Sequence, residues 1–394
     1  MEIIFLTHHQ NSLGYSMKRY TYFLSDGLRQ RGHKTSIWAP KLFLSKNRPS
    51  RGLGKWLRYV DQFLLFPIWF KHKSKKKPKN TLFVLIDQAL GIWTPLINKK
   101  AHVIHCHDFI ALNSALDKIK ENPISWSGKI YQQLIYRGFC KAKNFISVSK
   151  NTQNELTNLL STHPLVNEQV YNAIDPSFKP GSKSEARTFI SHCLNNDFSQ
   201  GYILHVGGNT FYKNREGVLA IYEALRNQCS QSPPLLLVGG ASKPSASILK
   251  HYESSSYKND IYFLPNVDDF FLLKAYQGAC LLLYPSLFEG FGWPVGEALA
   301  CGCLVVTTNE APMNEIGASA ALYISRNSNE ESITWAKGSA KIVEQALLLS
   351  TKDKDKRIKE GLDSIIRFNE VHILNQIESI YQKIIFEHTL ADVS

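Results

Sequence analysis

Short blocks of four or five apolar residues recur along the chain, and between them apolar positions fall three and four apart. The first pattern is that of a strand buried on both faces, the second that of an amphipathic helix. In the first half the blocks are Ile3–Thr7, Thr35–Ala39, Leu82–Ile86, Val103–Cys106 and Phe145–Val148. A loop, His8–Tyr15, follows the first of them. A helix is expected from Ser16 to Gly32, with Met17, Tyr20, Phe23, Leu24 and Leu28 at helical spacing and Gly32 as its stop. Around residues 176–200 the pattern breaks at Pro176, Pro180 and Gly181, which reads as a linker. It resumes with Tyr202–Val206, Leu235–Val238, Ile261–Leu264, Cys280–Tyr284 and Leu304–Thr307, and Val371–Phe386 has the spacing of a closing amphipathic helix. Strands alternating with helices predict an α/β chain with parallel sheets in two doubly wound halves. Ligands in such folds sit beyond the carboxyl ends of the strands, and with two halves the expected site is the cleft between them.

Composition adds limits. A length of 394 residues suits two domains. With 44% hydrophobic and 20% charged residues, the chain is neither disordered nor a small disulfide-stapled scaffold. No apolar run reaches the roughly 20 residues that cross a bilayer. The opening Met1-Glu-Ile-Ile-Phe-Leu6 lacks the basic stretch of a secretion signal, so the chain is expected in the cytoplasm. Its seven cysteines, odd in number, are expected to be free thiols. The net charge of +13 is uneven: Lys and Arg outnumber Asp and Glu more than two to one over residues 1–200, whereas the rest is slightly acidic. That asymmetry points to an anionic partner. No DNA- or RNA-binding motif is present, and nucleic acid is not expected.

The most informative stretch runs from Tyr284 to Gly302, YPSLFEGFGWPVGEALACG, between two apolar blocks. Gly290 and Gly292 let the backbone come close to a ligand. Pro294 suits the first turn of a helix and Gly302 its end. The helix start would present N–H groups to an anion such as a diphosphate. Glu289 and Glu297, eight apart, are placed to accept hydroxyl hydrogen bonds from two polyol parts of one ligand, for instance a sugar and a ribose. Glu-Gly-Phe-Gly-x-Pro-x-x-Glu-Ala-x-Ala-x-Gly resembles the nucleotide-sugar-dependent retaining glycosyltransferases of the GT-B fold, in the group 1 (family 4) type. A second segment, His205-Val-Gly-Gly-Asn-Thr-Phe-Tyr-Lys-Asn214, fits the same family.

That resemblance implies two Rossmann-like domains facing across a cleft. An acceptor-side domain is expected over residues 1–180 and a nucleotide-sugar-binding domain over 195–369, with the final helix, 370–390, crossing back onto the first. It implies that Glu289 and the backbone of Phe291 and Gly292 orient the donor sugar, that Glu297 holds ribose hydroxyls, and that Lys213 meets the diphosphate. Gly14 lies in the loop that abuts donor or acceptor, and His107, in His105-Cys-His-Asp108, lies near the reacting sugar. Many relatives carry an arginine directly after the glycine of Val-Gly, where this chain has Gly208 and then Asn209, so Asn209 or Arg215 is the expected substitute. Arg31-Gly-His33, Asn172-Ala-Ile-Asp175 and Glu310-Ala-Pro-Met-Asn-Glu315 are read as structural.

The implied reaction is retaining transfer of a sugar from a nucleoside-diphosphate sugar to a glycan or lipid-linked acceptor, in polysaccharide or glycolipid biosynthesis. No nucleophile stands out, and same-face attack with the leaving phosphate as base is what the resemblance implies. Neither a cofactor nor a metal is expected for the chemistry. Asp353-Lys-Asp355 lies in a solvated charged stretch. The alternatives are a nucleotide-sugar epimerase and a sugar-nucleotide-binding scaffold without catalysis. Finally, the apolar and aromatic residues 56–70, followed by the lysine run 71–79, suit an anionic membrane surface, which makes peripheral attachment at the inner face of the membrane a further expectation.

Overall fold

The computed structural model describes residues 1–9, 14–46, 53–229, 231–240, 244–327 and 332–393. Residues 10–13 of the loop expected at His8–Tyr15 lie outside the described residues. The chain divides into two units, Met1–Asn172 with Val371–Ser394, and Ala173–Glu370.

Unit 1 is built on a six-stranded sheet of β1 (Glu2–Leu6), β2 (Lys34–Trp38), β3 (Leu82–Leu85), β4 (His102–Cys106), β5 (Asn144–Ser147) and β6 (Val166–Gln169), in the order β2-β1-β3-β4-β5-β6. Every pairing is parallel. Ile3, Ile4, Phe5 and Leu6 are all fully buried, as a central strand covered on both faces requires. β6 carries one apolar residue, Val166, which is why the hydrophobic pattern does not reveal it. The first helix, Tyr15–Gln30, stops before Gly32, whose φ of +84° closes the turn. The last helix, Glu370–Val393, lies against it from Val371 onward. Glu378 accepts from Arg31 at 2.8 Å and lies 2.7 Å from His33 Nε2, which gives Arg31-Gly-His33 a structural task.

Unit 2 repeats the plan with β7 (Ile203–Val206), β8 (Leu235–Val238), β9 (Ile261–Leu264), β10 (Leu281–Tyr284), β11 (Leu304–Thr308) and β12 (Leu322–Ile324). The order is β12-β11-β10-β7-β8-β9, again parallel throughout. Its core joins Ile203, Leu235, Leu237, Leu281, Leu283 and Val306 to Val218, Tyr222 and Val343 from the covering helices.

The stretch expected as a linker is corrected here. Ser182 caps a helix over Lys183–Leu194, accepting from Glu185 N, and Ala186 and Ile190 on it are buried. Ser182-Lys-Ser-Glu185 has the serine-to-glutamate spacing of a capping box, a signal that the prolines around it obscured. Arg187 of this helix donates to the Gly278 carbonyl at 2.9 Å, so residues 173–200 belong to unit 2 and the first break falls at 172/173 rather than 180. All seven cysteines are free thiols. Among the described residues, no helix is long and apolar enough to cross a membrane.

Candidate active site

In each sheet the strand order reverses at one place, and in open α/β sheets a ligand crevice opens there, outside the carboxyl ends. In unit 2 that place lies between β7 and β10. The segments leaving these two strands are knitted together. Asn214 Nδ2 donates to the Pro285 carbonyl at 2.9 Å, and Ser286 Oγ and Leu287 N both donate to the Tyr212 carbonyl at 2.7 Å. The consequence is a fixed position for Lys213, which ends a single 3₁₀ turn, Phe211–Lys213. Its Nζ donates to Glu289 Oε1 and to the Tyr284 hydroxyl, each at 2.7 Å. The same Glu289 oxygen accepts from Tyr284 at 2.5 Å and from Ser286 at 2.7 Å. Burial first, and then the neighbouring Glu289 charge, push the Tyr284 phenol well above its usual range, so it stays a donor. The Lys213 and Glu289 side chains are 17% and 9% exposed, so their attraction is screened far less than that of a surface pair.

Beyond Glu289 the chain passes Gly290 and Phe291 and enters the helix Trp293–Ala300 at Gly292. Gly292 has φ +94°, a conformation that an L side chain resists, and Pro294 occupies the first turn. Phe291 is buried, its ring against Trp293 and Phe368, which anchors the loop from below. Glu297 lies one turn into the helix, 5% exposed, and accepts from the buried Tyr276 hydroxyl at 3.0 Å.

Arg215 is also buried, at 4% exposed. Its guanidinium donates to the Gly207 and Gly239 carbonyls at 2.6 Å each and to Asn209 Oδ1 at 2.7 Å. It therefore ties the segment after β7 to the segment after β8. Among the described residues no carboxylate pairs with it. Desolvation lowers its pKa to about 10, which leaves it charged at neutral pH and adds positive potential beneath Asn209. Replacing Arg215 by methionine strands several buried carbonyls. Unit 2 should lose about 3 kcal/mol, seen as a fall in melting temperature on the order of 5–10 °C. Loss of donor binding with an unchanged melting temperature would contradict this buttress role.

In unit 1 the order reverses between β1 and β3. His8 follows β1 and Asp87 follows β3, with His8 Nε2 3.5 Å from Asp87 Oδ2. Burial acts to raise the Asp87 pKa, but the hydrogen bond and charge of His8, the charge of His107 and the Ala89 N–H outweigh it, and the pKa is lowered. His107 follows β4 on the next strand. Its backbone N–H donates to Gln88 Oε1 at 2.8 Å, and its Nε2 lies 3.0 Å from the Ile86 carbonyl, which assigns the ring proton to Nε2. Burial lowers the His107 pKa, against the opposing effect of Asp87. Tyr20 stands edge-on to the ring at 4.7 Å. Two residues back, on β4, His105 is held between two buried hydroxyls, Tyr20 at Nδ1 and Tyr381 at Nε2, both at 2.7 Å. That chain ties the first helix, β4 and the last helix into one polar line. Gly14 precedes the first helix with φ −59°, open to any residue, and only a ligand's close approach would demand glycine there.

Two family models match the chain: "Glycosyltransferase Family 4" over residues 17–178 and "Glycosyl transferases group 1" over residues 189–360. The chain belongs to the group 1 glycosyltransferases. A curated relative, O-antigen chain mannosyltransferase B of Escherichia coli, is 33% identical over 128 residues, 32% of this chain and 34% of that protein. The match thus spans about a third of the relative's length. Two solved structures share the GT-B fold. Sucrose-phosphate synthase of Thermosynechococcus elongatus superposes with a TM-score of 0.73 at 16% identity, covering 97% of this chain and 98% of that one. HepE of Anabaena, solved in complex with UDP-glucose, gives 0.70 at 15% identity, with 97% and 100% covered.

Within this glycosyltransferase, unit 2 gathers Lys213, Glu289, Phe291, Gly292, Asn209 and Glu297 around one switch point, while His107 and Gly14 belong to unit 1. The structure adds partners that the motif did not name. Lys213 and Glu289 are paired with each other, not held apart as two separate contacts. Arg215 is a buttress for the loop, so it is no mobile stand-in for a missing arginine. Tyr284, Ser286, Tyr276, His8 and Asp87 were missed. Position was the available signal for His8 and Asp87, since each directly follows an apolar block. Asp353 and Asp355 are exposed in the helix Thr351–Ile365. Among the described residues, no three His, Cys, Asp or Glu side chains cluster as metal ligands.

Proposed function

We propose that this glycosyltransferase moves a hexosyl group from a nucleoside-diphosphate sugar to a glycan or lipid-linked acceptor, with retention at the anomeric carbon, in polysaccharide or glycolipid biosynthesis. The observation that carries the reading is the pairing of Lys213 with Glu289 at the β7/β10 switch point, beside a helix that starts at Gly292. A donor diphosphate there draws Lys213 Nζ onto its oxygens, while Tyr284 and Ser286 keep Glu289 in place to accept from sugar hydroxyls. The backbone of Phe291 and Gly292 orients the sugar, and Asn209 lines the phosphate loop. Glu297, held by Tyr276, accepts from ribose hydroxyls. In unit 1, Gly14 and His107 meet the reacting ends, and the His8–Asp87 pair accepts from an acceptor hydroxyl. Lys213 and the helix start offset the charge that grows on the leaving diphosphate, and this reading needs no metal. The leaving phosphate takes the acceptor proton in a same-face attack. A relative named O-antigen chain mannosyltransferase B favours a mannosyl donor, and HepE, solved with UDP-glucose, supports a nucleotide-sugar. The setting is the cytoplasm, with peripheral attachment at the inner face of the membrane.

The test is thermal shift against a panel of UDP-, GDP- and ADP-sugars, followed by turnover and the anomeric configuration of the product. One donor at about a hundredfold its Kd should stabilise the wild type by about 2.7 kcal/mol and leave Glu297→Ala unshifted. Binding without transfer to any acceptor would favour the scaffold reading, and interconversion of the free donor the epimerase reading. An inverted product would overturn retention.

A further inference from the structure

Unit 1 has a surface that sugar transfer leaves without a task. Residues 53–74 are helical throughout, as a helix Leu53–Val60, a π turn Asp61–Leu65 and a helix Phe66–Ser74, with Pro67 in the first turn of the last piece. The inward side is Phe66, 4.5 Å from the Trp93 ring, and Phe70, 5.4 Å from the Phe83 ring. The outward side is apolar as well: Leu53, Trp56, Leu64 and Ile68 are each more than half exposed. The helix Trp126–Phe139 lies alongside, with Tyr131 6.3 Å from Tyr59 and 5.9 Å from Phe63 between ring centroids. Close backbone contact holds that helix down, since a Cβ on Gly138 would meet the Gly91 carbonyl oxygen. Its outward stripe is Trp126, Ile130 and Leu134, four apart and hence on one face, with Trp126 78% exposed.

The first stripe runs into the lysine run. Lys77 pairs with Glu2 at 2.8 Å, and Lys73 lies over the Trp69 ring at 5.0 Å, so both serve the fold. Lys71, Lys75 and Lys76 are exposed, and among the described residues none of them is paired with a carboxylate. Single exposed apolar residues need no explanation, but two adjoining apolar stripes beside uncompensated lysines mark an interaction surface. Charge selects the occupant. A second copy of the chain would bring lysines toward lysines. An anionic bilayer takes tryptophan at headgroup level and aliphatic side chains just below, and it attracts the lysines.

We propose that this face of unit 1 docks on an anionic lipid surface, with Trp56 and Trp126 in the headgroup layer and Lys71, Lys75 and Lys76 on lipid phosphates. The docking stands on exposure and charge; only its purpose, bringing the site to a lipid-linked acceptor, rests on the proposed transfer. The test is co-sedimentation of the full chain with phosphatidylcholine vesicles, with and without about a third phosphatidylglycerol. The wild type should pellet with the anionic vesicles alone. A Lys71→Gln, Lys75→Gln, Lys76→Gln triple variant should partition on the order of a hundredfold less, and Trp56→Ala with Trp126→Ala at least tenfold less. Both variants should keep the wild-type melting temperature and donor-induced shift, which separates loss of docking from failure of the donor site. A wild type that stays in solution, or variants that pellet as it does, would overturn the proposal. So would sedimentation velocity showing a dimer abolished by the tryptophan substitutions without vesicle binding.

Discussion

Lys213→Ala should lower kcat by about 10²- to 10³-fold, the usual cost of removing one preorganised group that stabilises charge growing on a leaving group. The structure makes the expectation specific. Lys213 is anchored between Asn214, tied to the Pro285 carbonyl, and a turn whose Tyr212 carbonyl accepts from Ser286 and Leu287. Its ammonium therefore sits at the β7/β10 switch point before any ligand arrives. Removing it leaves Glu289 with the Tyr284 and Ser286 donors, so the loop should keep its shape and the melting temperature should change little. Lys213→Arg restores the charge but not the point geometry and should recover only part of the rate. Glu289→Gln keeps the shape and removes the anion. A larger loss in Glu289→Gln than in Lys213→Ala would show that sugar contacts outweigh phosphate contacts. Initial rates over a donor series separate kcat from KM. Wild-type turnover by Lys213→Ala would sink the assignment.

Acidification from pH 7 to pH 4 should destabilise both units, by about 3 kcal/mol for each of two histidines. His105 in unit 1 and His205 in unit 2 are fully buried, and burial lowers the pKa of each to about 3. A like charge adds to this in both cases, His107 for His105, and Arg215 and Lys213 for His205. The folded pKa lies below the ordinary value near 6.5, so the folded state binds fewer protons than the unfolded chain in this range. The stabilisation is complete above about pH 6.5 and is lost as pH falls toward 3. Each histidine contributes a slope of about 1.4 kcal/mol per pH unit below 6. Urea denaturation at a series of pH values measures it. His105→Gln should lower stability at pH 7 by breaking the Tyr20 and Tyr381 hydrogen bonds, yet flatten the slope for unit 1 alone. Equal stability at pH 7 and pH 4.5 would refute the buried neutral state of both rings.

The central strands were legible in the hydrophobic pattern. Leu235–Val238 reads from it to the residue, and so does the apolar edge strand Ile261–Leu264. The two strands that escaped, β6 and β12, lie at sheet edges. β6 carries a single apolar residue, and β12 has three residues, too few to show a period. The helix at Lys183–Leu194 hid behind Pro176, Pro180 and Gly181, since breakers close to a cap outweigh the cap when a segment is read alone. The motif around Glu289 was readable because a glycine loop opening a helix, with a proline in the first turn and two glutamates eight apart, is a distinctive local spacing. Tyr284, Ser286 and Tyr276 were not, because hydroxyl-bearing and aromatic residues are common and only their partners make them part of a site.

By itself the sequence determined the α/β class, the central strands, helix starts within a residue of Ser16 and Pro294 and the chemical types gathered at Glu289, Glu297 and Lys213. Those depend on local spacing and backbone preference, which neighbouring residues settle. The tertiary structure alone decided that Lys213 and Glu289 pair, that Arg215 props carbonyls from two loops, and that His8 and Asp87 meet across adjacent strands. It also decided that Trp56 and Trp126 lie on neighbouring helices. Each is a contact between residues far apart in the chain, fixed by strand order and packing, and no periodicity along the sequence encodes which strand will lie beside which.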